Sequence, residues 1–467
     1  MSRRVVALLA ALAVVLAAVA ATLLLTGVID LSPRAGPTPS PSASETSTPP
    51  PEPVPTVLPA ASTTPMAAAV EVAEAIEPAL AAGALGDRVG VSVVDLGTGA
   101  IAYESGPDAL IPASTLKLLT AAAALDVIGP DHRFTTRVVE GTAPGEVVLV
   151  GGGDPMLTSA DRPAPRATAL SRLAAATSAA LRSTGTTSVR LLVDDSLFTG
   201  PAVDPDWRSA LVSSGFVGPV SALAVDGGRL EPDTVRRSPD PALGAAAAFA
   251  DMLAAGGVDV SSEPVRGDAV GGATEIADVA SVPLADIVEH VVAVSDNDGA
   301  EVLARHVARA VGLPATSDAA GQAIVQAMTG LGVDVTGLAV LDGSGLARGS
   351  AVPPRVLTAT LTLAGSPSHP HLRSVLTGLP VAGFTGTLDD RFDSPAAADG
   401  MGVVRAKTGS LTGVSSLAGT VVARDGTAYA FALMADEVVN TVAARSALDD
   451  AAAALARCGC GTPGANP

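Results

Sequence analysis

The sequence predicts an α+β fold: one antiparallel sheet, flanked by helices, assembled from both ends of the folded chain and interrupted by inserted β-rich subdomains. Three observations carry this expectation. VGVSVVDLGTGAIAYES, residues 89–105, holds two alternating runs around a Gly-containing turn, which is the pattern of a hairpin. VVRAKTGSLTGVSSLAGTVVARDGTAYAFALMA, residues 403–435, reads as three strands, the last two joined by an Asp-Gly turn at Asp425 and Gly426. Between and after them lie helical stretches that can cover the faces of such a sheet.

Taken in order, the chain opens with Arg3 and Arg4 and an uncharged run from Val5 to Ile29. That run is about the length a helix needs to cross a bilayer. AVA at Ala18–Ala20 offers a cleavage site, but the apolar run continues past it, which favours an uncleaved membrane anchor over a signal peptide. Either alternative exports the rest, so an extracytoplasmic location is expected, with the membrane contacted through the N-terminal segment. Residues 32–65, rich in Pro, Ser and Thr, cannot build a core and read as a tether with a reach on the order of 100 Å.

The folded part is expected in three blocks: residues 66–145 and 281–457 as the two parts of one catalytic domain, and 146–280 as inserted subdomains. An alanine-rich helix starts near Met66. GTGAIA (97–102) matches a dinucleotide fingerprint but continues as a strand rather than opening a helix, so a nucleotide site is rejected. PASTLKLLTAAAAL (112–125) is helical in pattern, with Ser114 at its start. Short strands, Gly/Pro turns and a single helix at 170–182 follow. Residues 283–312 read as helix, break at SDND, helix, and 441–457 as a last helix. Cys458 and Cys460 are the two cysteines, too few for a disulfide framework or a four-cysteine zinc site, and residues 458–467 are left as a tail.

With 48% hydrophobic residues the chain can bury a large core, while a net charge of -19 argues against nucleic acid or anionic lipid as partner. Its bases are 26 arginines and only two lysines, Lys117 and Lys407. An ammonium can give up its proton at reachable pH and a guanidinium cannot, so the lysines point to proton traffic. Ser114 precedes Lys117 by three residues, one helical turn, so the amine can take the hydroxyl proton and Ser114 becomes a candidate nucleophile. On its own, a serine at a helix start is more simply an N-cap. Lys407 opens Lys407-Thr408-Gly409-Ser410 on a strand, where glycine permits close backbone approach of a substrate. Ser295-Asp296-Asn297 lies between the two in chain order.

Bland readings cover the neighbouring polar residues. Asp298 and Glu301 answer a helix dipole, Asp154 and Asp342 organise turns, and His369 and His371 flank a proline in a loop. No third ligand joins those histidines, so no metal is expected, and nothing calls for a cofactor. There is no G-x-S-x-G, no H-E-x-x-H, and neither lysine follows a glycine as a P-loop requires.

The order S-x-x-K, S-x-N, K-T-G resembles penicillin-binding proteins and serine β-lactamases. About 177 residues separate Lys117 from Ser295, and GGGDPML, VDDSLF, VSALAVDGG, SDNDGAEVL, LDGSGLAR and LPVAGFTGTLDDRF narrow the likeness. They resemble the class C low-molecular-mass penicillin-binding proteins, the D-Ala-D-Ala carboxypeptidases and endopeptidases of peptidase family S13. The likeness runs from about residue 67 to 455. It implies a β-lactamase/transpeptidase-like catalytic domain and acyl transfer on peptidoglycan stem peptides, with β-lactams as acylating inhibitors. Catalytic roles fall on Ser114, Lys117, Ser295 and Asn297. Substrate binding falls on Lys407, Thr408, Gly409 and Ser410, with Lys407 and Thr408 meeting a terminal carboxylate and the N–H groups of Ser114 and Ser410 forming the oxyanion hole. The alternatives are a serine β-lactamase, which the long insertion disfavours, and a non-catalytic peptidoglycan-binding or β-lactam-sensing protein.

Overall fold

In a computed structural model the described residues are 65–159, 168–231 and 234–459. The apolar run and nearly all of the Pro/Ser/Thr-rich stretch, together with Cys460 and the last residues, lie outside them. Among the described residues no helix is long and apolar enough to cross a membrane.

The central sheet has the order β11-β12-β13-β1-β2, all antiparallel. Its members are β1 (Val89–Asp95), β2 (Ile101–Ser105), β11 (Arg405–Leu411), β12 (Val414–Val422) and β13 (Ala428–Ala435). The N-terminal hairpin thus docks on the C-terminal meander, with β1 running from Val89↔Ala435 to Asp95↔Tyr429. β13, buried on both faces but for its first residue, reads AYAFALMA, apolar throughout rather than alternating.

One face carries α1 (Pro65–Leu80) and α9 (Thr441–Arg457), packed on each other, α1 also on β2 and α9 on β12. Ala451–Ala454 are fully or almost fully buried there, the small side chains letting helix and sheet approach closely. The other face carries α2 (Lys117–Ile128), α5 (Leu284–Val294), α6 (Asn297–Ala310), α7 (Ser317–Gly330) and α8 (Pro354–Gly365). α2 is sunk in this core, every residue from Lys117 to Leu125 buried, and that stretch is apolar all round apart from Lys117 and Thr120.

Residues 135–280 build a second, mixed sheet, β10-β3-β4-β7-β8, with β9 beside β7. It comprises β3 (Thr135–Glu140), β4 (Glu146–Val150), β7 (Ser188–Asp194), β8 (Asp259–Val260), β9 (Val265–Arg266) and β10 (Glu275–Ala280). β5 (Leu157–Thr158) and β6 (Thr168–Ala169) form a separate pair. β4 and β7 run parallel, so they need a crossover, which α3 (Leu170–Ser183) provides.

Two features depart from the sequence reading. β3 belongs to this second sheet although it falls within 66–145, because its hydrogen bonds go to β4 and β10. A second long helix, α4 (Pro241–Ala255), was not expected; Asp240 caps it by accepting from Leu243 N at 3.1 Å, and Pro241 suits its first turn. That Asp-Pro start, followed by an alanine run, was the signal available.

Candidate active site

Three segments converge where the edge strand β11 meets the helical face. The first is a 3-10 turn, Ala113–Leu116, leading into α2. Ala113 has φ 47°, a left-handed value that costs a non-glycine residue about 1 kcal/mol or more. The turn is wedged: a Cβ on Gly409 would come 2.7 Å from the Pro112 carbonyl, and one on Gly345 would overlap the Ala113 carbonyl. Ser416 Oγ donates to that same Pro112 carbonyl at 2.7 Å. Ser114 is therefore presented from a backbone that its neighbours hold in an unfavourable shape.

Lys117, one turn on, is wholly buried. Its Nζ donates to Ser114 Oγ at 2.9 Å, Asn297 Oδ1 at 2.7 Å and the Ser344 carbonyl at 2.7 Å. Burial pulls its pKa down to about 8, against the opposing pull of Asp342, Glu301, Asp296 and Asp298. Desolvation is the cause of the depression.

The second segment is the break between α5 and α6. Ser295 ends α5 in a left-handed conformation, φ 60° and ψ 42°, which turns its hydroxyl toward β11. Asp296 caps α6, accepting from Gly299 N at 3.1 Å, and Asn297 starts it. Asn297 spans the site, accepting from Lys117 and donating Nδ2 to the Phe216 carbonyl at 2.7 Å.

The third segment is β11. Strand alternation turns Lys407 and Gly409 toward the Ser114 turn, and Thr408 and Ser410 toward the cleft wall. Lys407 is wholly buried, its Nζ donating to Ser295 Oγ and to the Thr408 carbonyl, both at 2.8 Å. Burial, and secondarily the Lys117 cation, push its amine well below the ordinary lysine value. Lys407 thus holds Ser295. The cleft, about 610 Å³, is lined by Ser114, Ser295, Asn297, Thr408 and Ser410 together with Phe216, Thr387 and Arg445. Thr408 Oγ1 pairs with Thr387 Oγ1 at 2.9 Å.

Beneath these groups lies a layer that sequence reasoning missed. Glu301 is no dipole residue: it is 1% exposed, and its carboxylate accepts Gly343 N at 3.1 Å and Ser344 N at 2.8 Å. Burial, then repulsion from Asp342, pushes it up to about 8. Asp342 does organise a turn, accepting Gly345 N, Leu346 N and Ala347 N at 2.8–2.9 Å, and also Trp207 Nε1 at 3.0 Å. Both carboxylates thus brace the loop whose Ser344 carbonyl receives Lys117. Arg305, one further turn along α6, donates to the carbonyls of Thr199, Pro201 and Ala315. The spacing Asn297, Glu301, Arg305 marks one helix face and was the signal that these residues act together. Asp298 likewise ties the insertion to α6, paired with Arg237 at 2.5 Å and accepting Gly218 N at 2.7 Å.

The site therefore offers a hydroxyl on a depressed, buried amine, a second hydroxyl on a second buried amine, and a cleft for an extended substrate: the equipment of serine acyl transfer. Among the described residues no group of three or more His, Cys, Asp or Glu side chains could hold a metal ion.

Comparison with known proteins agrees in kind. The chain is 38% identical over 462 residues to carboxypeptidase DacB of Mycolicibacterium smegmatis, covering 97% of this chain and 96% of that protein. It is 31% identical over 423 residues to a D-alanyl-D-alanine carboxypeptidase of Actinomadura sp., covering 72% and 76%. The crystal structure of penicillin binding protein 4 from Haemophilus influenzae shares the fold at a TM-score of 0.65 and 20% identity, over 82% of this chain and 97% of that one. The β-lactamase and non-catalytic alternatives are set aside. The model of the D-Ala-D-Ala carboxypeptidase 3 (S13) family matches residues 72–239 and 231–457, and the chain belongs to that family of serine-type hydrolases.

Proposed function

We propose that Ser114 is the residue acylated when this enzyme cuts the bond between two D-alanines of a peptidoglycan stem peptide. The observation that carries the reading is the 2.9 Å contact of Ser114 Oγ with Lys117 Nζ, an amine already held by Asn297 and Ser344. Neutral Lys117 takes the hydroxyl proton as Oγ attacks the penultimate carbonyl, and the N–H groups of Ser114 and Ser410 receive the oxyanion. Ser295, held by Lys407, hands its hydroxyl proton to the departing amine and regains one from protonated Lys117, so both return to their starting states. Water then attacks the acyl-enzyme and frees Ser114. Asn297 orients Lys117 and the substrate amide, Gly409, expected to admit the substrate backbone, instead lets the Ser114 turn close on β11, and Thr408 and Ser410 hydroxyls take the leaving residue's carboxylate. β-Lactams acylate the same serine.

In this reading residues 66–134 and 281–457 form the catalytic domain and 135–280 the insertion. Residues 5–29 anchor the chain outside the cytoplasmic membrane, with 32–65 as tether. Fractionation tests the anchor: the protein is expected with membranes and released by protease cutting in the tether, whereas a shortened, freely soluble product would identify a cleaved signal. The chemistry is tested by digesting purified peptidoglycan with the detergent-solubilised full chain and identifying products by mass spectrometry. Loss of single terminal D-alanines is expected, and no change in the muropeptides would overturn the reading.

A further inference from the structure

A carboxypeptidase must receive the free carboxylate of the residue it removes, and in a desolvated cleft that charge needs a cation. Lys407 does not line the cleft: it is wholly buried and its amine is engaged with Ser295 and Thr408. We propose that Arg445, on α9, is the cation that captures the substrate's terminal carboxylate and so selects free chain ends over interior D-Ala linkages. This rests on the reading above, which lays the leaving residue against Thr408 and Ser410.

The guanidinium is in place. Arg445 lines the cleft, half-buried, and its Nε donates to Ser410 Oγ at 3.3 Å. Its charge is also uncommitted, for a reason that can be traced. Asp449 lies four residues further along α9, where a carboxylate ordinarily pairs with an arginine one turn away. Here both its oxygens are taken by Arg391, Nε to Oδ2 at 2.8 Å and Nη2 to Oδ1 at 2.6 Å. Arg391 Nη2 donates to the Arg445 carbonyl as well, at 3.2 Å, fixing that turn of the helix. Among the described residues Arg445 forms no ion pair, so the Arg391–Asp449 pair leaves it free to face the cleft. The other cations on the wall are placed differently: Arg348 donates to the Thr412 carbonyl, beyond the end of β11, and Arg208 belongs to the inserted segment. Asp390, exposed on the same wall, makes no ion pair with Arg445.

The test compares, on the detergent-solubilised full chain, an acylated peptide ending in D-Ala-D-Ala with the same peptide amidated at its C-terminus. The wild type is expected to prefer the acid. Arg445→Gln is expected to reduce the acid-over-amide ratio of kcat/KM by about 10- to 100-fold, the worth of one charge-assisted hydrogen bond, chiefly through KM. Arg445→Lys should restore part of the ratio, and Arg445→Glu should turn the preference toward the amide. A folded Arg445→Gln enzyme that keeps the wild-type ratio overturns the proposal, as does one that loses both substrates alike, the mark of a merely structural residue. A wild type that cuts neither peptide and forms no adduct at Ser114 overturns the underlying reading and the proposal with it.

Discussion

If Lys117 is the general base, acylation must follow the fraction of its amine that is neutral, and burial sets that fraction. With the amine at about 8, roughly one tenth is neutral at pH 7 and half at pH 8. An ordinary lysine, near 10.5, would offer about one part in 3,000 at pH 7, so burial improves the supply of base by about 300-fold. The corresponding cost to folding is about 3 kcal/mol. Because the folded-state value is depressed, the unfolded chain holds this proton to higher pH than the native one. The cost is therefore fully present below pH 8 and is recovered as pH climbs toward 10.5. Stopped-flow acylation by a chromogenic β-lactam should accordingly rise about fivefold from pH 7 to 8 and level off near pH 9. Asp342, Glu301, Asp296 and Asp298 oppose the depression, and the buried Lys407 adjoins the site. Of these Glu301 stands in the same window, at about 8, so the assignment needs a control. In Glu301→Gln the inflection should move down, since a carboxylate that favours the charged amine is gone. An inflection that vanishes in that variant, a flat profile, or one still climbing steeply at pH 10 would refute the reasoning.

Intact-mass analysis after penicillin treatment should find one adduct in the wild type and none in Ser114→Ala; a persisting adduct would remove Ser114 from its role. Lys117→Arg should lose nearly all acylation at every pH, whereas Lys407→Arg should keep a measurable fraction, because Lys407 holds Ser295 rather than accepting a proton from Ser114; rates on both variants, with melts to confirm folding, decide it. Gly409→Ala should slow acylation at least tenfold and destabilise by about 2 kcal/mol, since its Cβ lies 2.7 Å from the Pro112 carbonyl, and an unchanged melting temperature would contradict this. Asp298→Ala leaves Arg237, with a side chain only 6% exposed, without its partner; a loss of about 3 kcal/mol and faster chymotrypsin cleavage at the 63%-exposed Phe216 are expected, and unaltered proteolysis would show that Asp298 does not hold the loop.

Much of this molecule was legible in the chain alone because it is encoded locally. The hairpin at 89–105, the Asp-Gly turn at 425–426 and the break at Ser295 depend on neighbours a few residues away, and so do the one-turn spacing of Ser114 from Lys117 and the alternation along Lys407-Thr408-Gly409-Ser410. Two lysines among 28 bases were a compositional sign that arginine would not serve there. Tertiary structure alone decided what long-range burial decides. It made Lys407 a partner of Ser295, 112 residues away, and turned Glu301 from a dipole residue into a brace for Gly343 and Ser344. It assigned β3 to the second sheet and committed Asp449 to Arg391, leaving Arg445 at the cleft. The reason is physical: the value of a buried charge, and the choice between two candidate partners, depend on which groups lose water together, and that is settled only when distant segments pack.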